Sequence, residues 1–127
     1  MIKILAVINS AKQFGVAANA VAHASLGLAS RLAAEGNPLP TKEWKEGLTL
    51  HPPVVDVPIE IKLADAETLR QCRMNARNRG LLVADFTQTM TGDTYVEQLE
   101  KTKAAREAEL EYYCVVIAGN EEELKHL

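Results

Sequence analysis

The stretch Gly15–Ala34, GVAANAVAHASLGLASRLAA, is the longest candidate helix in the chain and decides the fold. Eight of its positions from Val16 to Ala34 are alanine, and such small side chains let a sheet or a second helix approach closely. The helix is expected to end at Glu35-Gly36, because glycine readily adopts the left-handed conformation that closes a helix. We therefore predict a central, largely buried helix.

The apolar run Met1–Ile8, MIKILAVI, precedes this helix and is short enough to be a buried strand. Asn9–Gln13 supplies the turn between the two, so the chain opens with a compact strand-turn-helix unit. Further elements follow in alternation, with strands predicted at Val54–Leu63, Leu81–Ala84 and Leu110–Ala118 and helices at Ala66–Arg79, Tyr95–Ala108 and Glu121–Leu127.

Local signals refine several of these elements. Pro58 cannot donate a hydrogen bond to a neighbouring strand, which predicts a sheet edge or a bulge there. Leu81–Ala84 is fully apolar, as a central strand would be. Asp65 is predicted to N-cap the helix that follows it, and Thr91 or Asp93 the next one.

The helix Ala66–Arg79 is predicted to end at Gly80. Leu69, Cys72 and Ala76 stand at i, i+3 and i+7 within it, which predicts a stripe that faces the core.

The proline-rich segment Asn37–Pro53 is predicted to be a loop. Thr41–Trp44 is predicted to form a short helical turn within it, and Trp44 to cover an edge of the core. The resulting order β-α-β-α-β-α-β-α predicts the α/β class, with a small four-stranded mixed β-sheet packed with α-helices in one domain over residues 1–127.

The composition bears on location and cofactors. No apolar run approaches the roughly 20 residues that span a bilayer, and the N-terminus lacks the layout of a signal peptide. We therefore expect a cytoplasmic protein without membrane contact. Cys72 and Cys114 lie in apolar segments without metal-ligand spacing, so we predict buried free thiols and expect no metal or cofactor.

The charge distribution bears on possible partners. With a net charge of −3 the chain is a poor general binder of nucleic acid, so a contact with tRNA would need a local basic patch. Arg70, Arg73 and Arg77 repeat at helical spacing and form the most basic surface that the sequence predicts. Such a stripe binds phosphates in some proteins and is an ordinary solvated helix face in others.

Polar residues near element ends are the remaining candidates for chemistry, because the sequence contains no phosphate-binding loop, no dinucleotide fingerprint, no zinc-protease motif and no serine-hydrolase motif. His23 and Asn19 stand one helical turn apart and are predicted to line one groove, although His23 also suits a core or interface position. Asp85 directly follows an apolar strand, with Thr87 and Thr89 next to it. A carboxylate and hydroxyls there can orient a water for attack on an ester, or simply cap the next turn.

Three segments resemble the type 2 peptidyl-tRNA hydrolases in sequence and in order. They are AVAHASLG at Ala20–Gly27, ETLRQCRMNARNRGLLVADFTQT at Glu67–Thr89, and YYCVVIAGNEEELKHL at Tyr112–Leu127. The predicted helix Tyr95–Ala108 resembles an insertion relative to that family. With this insertion and LAVINSAKQFGVAANA at Leu5–Ala20, the chain is most similar to an uncharacterised branch of the superfamily, domain of unknown function 2000.

The resemblance implies the fold predicted above and a homodimer. It also implies that His23, Asp85 and Thr89 occupy the positions of that family's catalytic residues. The family's lysine at the helix start, however, aligns with Val16, and its helix glutamine with Ala20. Cleavage of an ester develops negative charge on the attacked carbonyl, and valine offers it neither a cation nor a hydrogen bond.

Three hypotheses follow. The first is an ester hydrolase of the peptidyl-tRNA type that uses Asp85 and Thr89, with Lys12 as a substitute cation. The second is a non-catalytic module on the same scaffold that binds a small ligand or a protein, and the missing lysine and glutamine favour it. The third is a homodimeric structural domain. The site hypotheses share one spatial prediction, that the His23 helix and the strand bearing Asp85 border a common hollow.

Overall fold

The chain forms a four-stranded mixed sheet, as the sequence predicts. Helices lie on both faces of this sheet, and a two-stranded hairpin is separate from it. The computed structural model describes residues 1–92 and 94–127. The strands are β1 (Lys3–Asn9), β2 (Thr41–Glu46), β3 (Thr49–Val55), β4 (Ile59–Ala64), β5 (Leu82–Thr87) and β6 (Tyr112–Gly119). The helices are α1 (Phe14–Ala34), α2 (Ala66–Asn78), α3 (Tyr95–Ala104) and α4 (Glu121–Leu124).

The main sheet has the strand order β4-β1-β6-β5. β1 pairs parallel to β4 and antiparallel to β6, and β5 pairs antiparallel to β6. β1, β4 and β5 therefore run in the same direction, and their carboxyl ends lie at the same end of the sheet. The turn before α1, the start of α2 and the start of β6 lie at this end too.

α1 packs one face against the sheet, mainly over β6 and β5. The buried residues recur every three to four positions along the helix, and they are Ala17, Ala20, Ala24, Leu28 and Leu32. Three of them are alanines, as expected of a helix that lies close to a sheet. The rest of the helix surface is largely exposed, so the prediction of a largely buried helix holds for one face only.

α2 covers the opposite face of the sheet and agrees closely with its prediction. Asp65 caps it by accepting a hydrogen bond from the backbone N–H of Thr68, at 2.7 Å. The predicted stripe Leu69, Cys72 and Ala76 is buried against β6, β5 and β1. Both cysteines are buried free thiols, as predicted.

The proline-rich segment folds differently from its prediction. Thr41–Trp44 belongs to a strand, not to a helical turn, and pairs antiparallel with β3. Gly47, with φ of 54°, allows the tight reversal between the two strands. Every residue of the hairpin β2–β3 is exposed, so Trp44 covers no core edge and lies beside the Lys42 ammonium, 5.4 Å from the centre of its indole.

Two further strand predictions need correction. Val54–Leu63 is not one strand, because its first two residues end β3 and its last five belong to β4. β4 lies at the sheet edge, as Pro58 indicated, whereas the strand that contains Leu82–Ala84 lies at the opposite edge and is not central. Those residues are apolar because α1 and α2 pack on the two faces of β5.

The region between β5 and β6 contains α3, which ends at Ala104 instead of Ala108. Its cap is Thr94, whose hydroxyl accepts a hydrogen bond from the N–H of Glu97. The sequence favoured Thr91 or Asp93, of which Asp93 lies outside the described residues. A short 3-10 turn, Glu107–Glu109, then leads into β6. In the described part of the chain, no helix is both long enough and apolar enough to cross a bilayer.

Candidate functional site

The two long helices leave β4 uncovered, and a groove runs between β4 and the first half of α1. Its volume is about 530 Å³, within the range of pockets that hold small molecules. Its walls are almost entirely apolar and come from Ile8, Phe14, Ala17, Ala18, Val21, Ala22, Ile61 and Leu63. Phe14 and the two β4 side chains are more than half exposed, so the groove opens to solvent.

Polar groups gather at one end of this groove, where β1 ends and α1 begins. Asn9, Ser10 and Lys12 line it there. The buried Asn9 side chain fixes the turn, since it donates to the carbonyl of Tyr112 and accepts from the N–H of Ala11. The groove therefore has an apolar body and one polar end, the arrangement typical of small-molecule sites.

Lys12 is the cation at that end. Its ammonium lies 2.6 Å from the Glu111 carboxylate and 4.7 Å from the centre of the Tyr113 ring. The hydrogen bond to Glu111 raises the pKa of Lys12, so the side chain stays charged at neutral pH. The contact with Glu111 uses one of the three donors of the ammonium. The others leave this partly exposed cation able to bind an anion at a fixed position.

The first turn of α1 adds further donors. α1 has neither a side-chain cap at Gln13 nor an acidic residue in its first turn. In the described chain the first helical hydrogen bond is donated by the N–H of Ala17 to Gln13, so the amides of Phe14, Gly15 and Val16 have no partner there. An uncapped helix N-terminus carries a partial positive charge and attracts anions.

His23 and Asn19 lie on the exposed side of α1, one turn apart as predicted. The two are joined through the backbone, because the Nδ1 of His23 lies 2.8 Å from the carbonyl oxygen of Asn19. A carbonyl only accepts, so Nδ1 carries the hydrogen of this bond and the neutral ring has its lone pair on Nε2. The ring faces Phe86, with 5.8 Å between ring centres.

Asp85 lies on the other face of the sheet, which is the main correction to the predicted site. Along β5, Phe86 points to the α1 side, and Asp85 points to the α2 side, opposite Val115 in the register with β6. Its Oδ2 accepts a hydrogen bond from the Nε of Arg73, at 2.7 Å. The common hollow predicted for His23 and Asp85 is therefore not formed.

Thr87 and Thr89 are both buried at the end of β5. Their hydroxyl oxygens lie 2.7 Å apart, and the hydroxyl of Thr102 in α3 lies 2.8 Å from that of Thr89. These contacts attach α3 to the carboxyl end of β5. Within the described residues neither threonine bonds to Asp85, so the structure does not assemble Asp85 and Thr89 into one reacting group.

The arginine stripe on α2 mostly holds the fold together. Arg70 donates to the carbonyls of Glu107 and Leu110, each at 2.6 Å, and pairs with the Glu107 carboxylate. Arg73 is engaged by Asp85. Of the three guanidinium groups, only that of Arg77 makes no ion pair or hydrogen bond within residues 1–92 and 94–127. Two of the three arginines are therefore bound to groups of the protein itself, which argues against phosphate binding by this stripe.

Two residues that the sequence analysis did not single out complete a charged cluster here. Tyr112, buried under the guanidinium groups of Arg70 and Arg73, donates its hydroxyl to Glu107 at 3.0 Å. Burial raises the pKa of Tyr112 to about 12, so it remains a donor. Burial also opposes the ionisation of Glu107, but the hydrogen bonds from Tyr112 and Arg70 outweigh it and lower the pKa of Glu107.

The arginine directly after α2 also has a structural role. Arg79 donates to the backbone carbonyls of Glu123 and Lys125, at 2.8 and 2.7 Å, and reaches that of His126. It therefore ties the C-terminal segment to the end of α2. Among the described residues, no group of three or more His, Cys, Asp or Glu side chains is placed to hold a metal ion.

The groove residues on β4 also escaped the sequence analysis. The alternation of Ile59, Ile61 and Leu63 with charged residues was visible and indicates one apolar face of a strand. The sequence alone does not say whether a helix covers that face. It is the position of α1 over β5 and β6 that leaves it open.

The sequence profile of the family described as protein of unknown function (DUF2000) matches residues 2–127. The chain belongs to the DUF2000 family. Similarity to the type 2 peptidyl-tRNA hydrolases has no support from these comparisons, and no curated protein matches the chain significantly.

A solved structure shares the fold of this DUF2000 chain. It is that of a protein of unknown function, Atu0240, from Agrobacterium tumefaciens str. C58, with a TM-score of 0.79 and 15% sequence identity. The match covers 97% of this chain and 90% of that one. At this identity the likeness concerns the fold alone.

Proposed function

We propose that this DUF2000 chain is a homodimeric, non-catalytic binding module. Its ligand is a small molecule with an apolar body and an anionic group, and it occupies the α1–β4 groove. The observation that carries the proposal is the groove itself, with apolar walls along its length and Lys12 at one end. The apolar body lies against Ile61 and Val21, and the anionic group lies at the Lys12 ammonium and the first turn of α1.

The hydrolase hypothesis has less support from the same geometry. Its carboxylate, Asp85, is paired with Arg73 on the α2 side of the sheet, and its imidazole, His23, lies on the α1 side. A water activated by Asp85 would need to reach an ester bound on the opposite face. A general base must lie within hydrogen-bond reach of the proton that it removes, directly or through one water.

The ligand proposal is tested with a probe that has both features. The probe 8-anilinonaphthalene-1-sulfonate combines fused aromatic rings with a sulfonate, and its fluorescence rises in an apolar site. We expect saturable binding to the folded protein, displaced by decanoate more effectively than by decanol, because only the carboxylate interacts with Lys12. Equal displacement by both compounds would contradict a role for the cation.

Two substitutions on α1 locate the site. Ala18→Phe fills the groove from an exposed helix position and should abolish binding of the probe. Ala33→Phe places the same side chain at an exposed position near the other end of α1 and should leave binding unchanged. If both variants bind like the wild type, the groove is not the ligand site.

A further inference from the structure

The outer edge of β4 is unpaired and carries apolar side chains. β4 is the last strand on its side of the sheet, and its other edge pairs with β1. Ile59, Ile61 and Leu63 are 55%, 62% and 71% exposed. An exposed apolar edge strand is a ready template for pairing with another strand, and proteins usually protect such edges.

The backbone shows which groups this edge offers. The carbonyls of Pro58 and Ala64 accept from the N–H groups of Ile4 and Ser10, so the even-numbered residues of β4 direct their backbone groups toward β1. Successive residues of a strand alternate, and the N–H and C=O groups of Ile59, Ile61 and Leu63 therefore point outward. Pro58 has no N–H, but its backbone groups face β1, so the outer edge of β4 loses no hydrogen-bond donor.

These outward groups suit antiparallel pairing of β4 with β4 of a second copy. With Ile61 opposite its own equivalent, Ile59 lies opposite Leu63 of the second copy. All three become hydrogen-bonded pairs, in which both partners exchange their N–H and C=O groups. The apolar side chains then meet on the face that α1 flanks.

Charge selects this register over its neighbours. On the opposite face of β4 the residues are Glu60 and Lys62. With Ile61 at the centre, Glu60 faces Lys62 of the second copy, twice across the axis. A shift to the adjacent registers that keep the outward groups paired places Glu60 opposite Glu60 or Lys62 opposite Lys62, and like charges directly opposite are destabilising.

We propose that two copies of this chain associate through β4, antiparallel and centred on Ile61, so that the two four-stranded sheets become one of eight strands. This inference rests on the homodimer of the proposed function, gives it an interface, and is independent of the ligand. The two-fold axis is perpendicular to the sheet. Both α1 helices therefore lie on the same face, and the two α1–β4 grooves meet over a shared apolar floor.

A cysteine placed on the axis tests the register. In Ile61→Cys the two Cα atoms of a hydrogen-bonded pair lie about 5.5 Å apart, within the range that a disulfide bridges. Mild oxidation should therefore give a covalent dimer on non-reducing gels. The matched variant Leu63→Cys places its two cysteines about 13 Å or more apart and should stay monomeric on the gel. The wild type, with both native thiols buried, controls for other links.

A charge exchange tests the same interface without cysteines. Glu60→Lys places lysine opposite Lys62 of the second copy and should raise the dissociation constant about tenfold in sedimentation experiments. The double variant Glu60→Lys, Lys62→Glu should restore the wild-type value. Loss of the Lys3–Glu60 ion pair, 2.9 Å in the wild type, is common to both variants and cannot explain a recovery.

The outcomes separate the two proposals. A wild-type chain that sediments as a monomer overturns both the homodimer and this interface. If the wild type is a dimer, but Ile61→Cys forms no disulfide and Glu60→Lys leaves the dissociation constant unchanged, this interface alone is overturned. Binding of the fluorescent probe bears only on the ligand.

Discussion

The Nε of Arg73 lies 2.7 Å from the Oδ2 of Asp85, and the two side chains are only 18% and 17% exposed. This pair connects the middle of α2 to β5 and stands against the ring of Tyr112. The sequence predicts Asp85 just beyond the end of an apolar strand, where α/β proteins often bind ligands, but Asp85 lies within β5. Here its carboxylate is occupied by a guanidinium from the neighbouring helix, and its role is to hold α2 on the sheet.

The first prediction concerns this pair. Asp85→Ala should lower the free energy of unfolding by about 2 kcal/mol, because it leaves the partly buried Arg73 without its partner. Arg73→Ala should cost a similar amount, and the double variant clearly less than the sum. Urea unfolding of the four proteins measures the coupling, and additive effects would show that the contact is not formed in solution.

The second prediction concerns acid. The pKa of Glu107 is lowered from its usual 4.5, so its ionised form stabilises the fold above that value and the contribution disappears as the pH falls through the lowered pKa. Glu107→Gln should therefore lose less stability than the wild type between neutral pH and pH 3. Glu100→Gln, on the exposed side of α3, is the matched control. Identical acid dependence in all three proteins would contradict the contacts of Glu107.

The third prediction concerns the thiols. Burial raises the pKa of Cys114 to about 12 and also raises that of Cys72. Because the thiolate is the reactive form, neither should react with iodoacetamide in the folded protein at mildly alkaline pH, and both should react in urea. Mass spectrometry counts the added groups. Rapid labelling of either thiol without denaturant would place it at the surface.

The fourth prediction concerns the hairpin. β2 and β3 pack against each other and not on the sheet. Their ends meet where the N–H of Asp56 donates to the carbonyl of Pro40, at 2.7 Å. Replacing residues 41–55 by two glycines should leave helix content unchanged by circular dichroism and alter the free energy of unfolding by less than about 1 kcal/mol. Loss of cooperative unfolding would mean that the hairpin supports the core.

The fifth prediction concerns catalysis. Incubation with an N-acyl-aminoacyl-tRNA should release no free tRNA above the rate in buffer, because Asp85 and His23 lie on opposite faces of the sheet. Turnover that disappears in both Asp85→Ala and His23→Ala would restore the hydrolase hypothesis. The stability of each variant, followed by circular dichroism, is the control.

Local signals account for what the sequence predicted well. The Asp65 cap and the stripe Leu69, Cys72 and Ala76 depend on residues within a few positions of each other, and both are confirmed. The same is true of Gly36 and Gly80, whose φ angles of 81° and 73° need glycine at the two helix ends.

The incorrect predictions concern features that depend on contacts between distant parts of the chain. Alternation along β5 shows that Asp85 and Phe86 face opposite ways, but which of them faces α1 depends on how that helix crosses the sheet. The hairpin was missed because Pro52 and Pro53 indicate a loop. A two-stranded ribbon has only edge strands, and prolines are tolerated there.

The Arg79 guanidinium fixes the segment Glu123–His126 to the end of α2. This one side chain donates to the backbone carbonyls of Glu123, Lys125 and His126. Fraying of the last turn of α2 would break the hydrogen bonds from Arg79 and release residues 123–126. Unfolding of residues 123–126 would in turn remove the same hydrogen bonds from the end of α2. The two segments should consequently exchange their amide hydrogens as one cooperative unit, although more than 40 residues separate them along the chain.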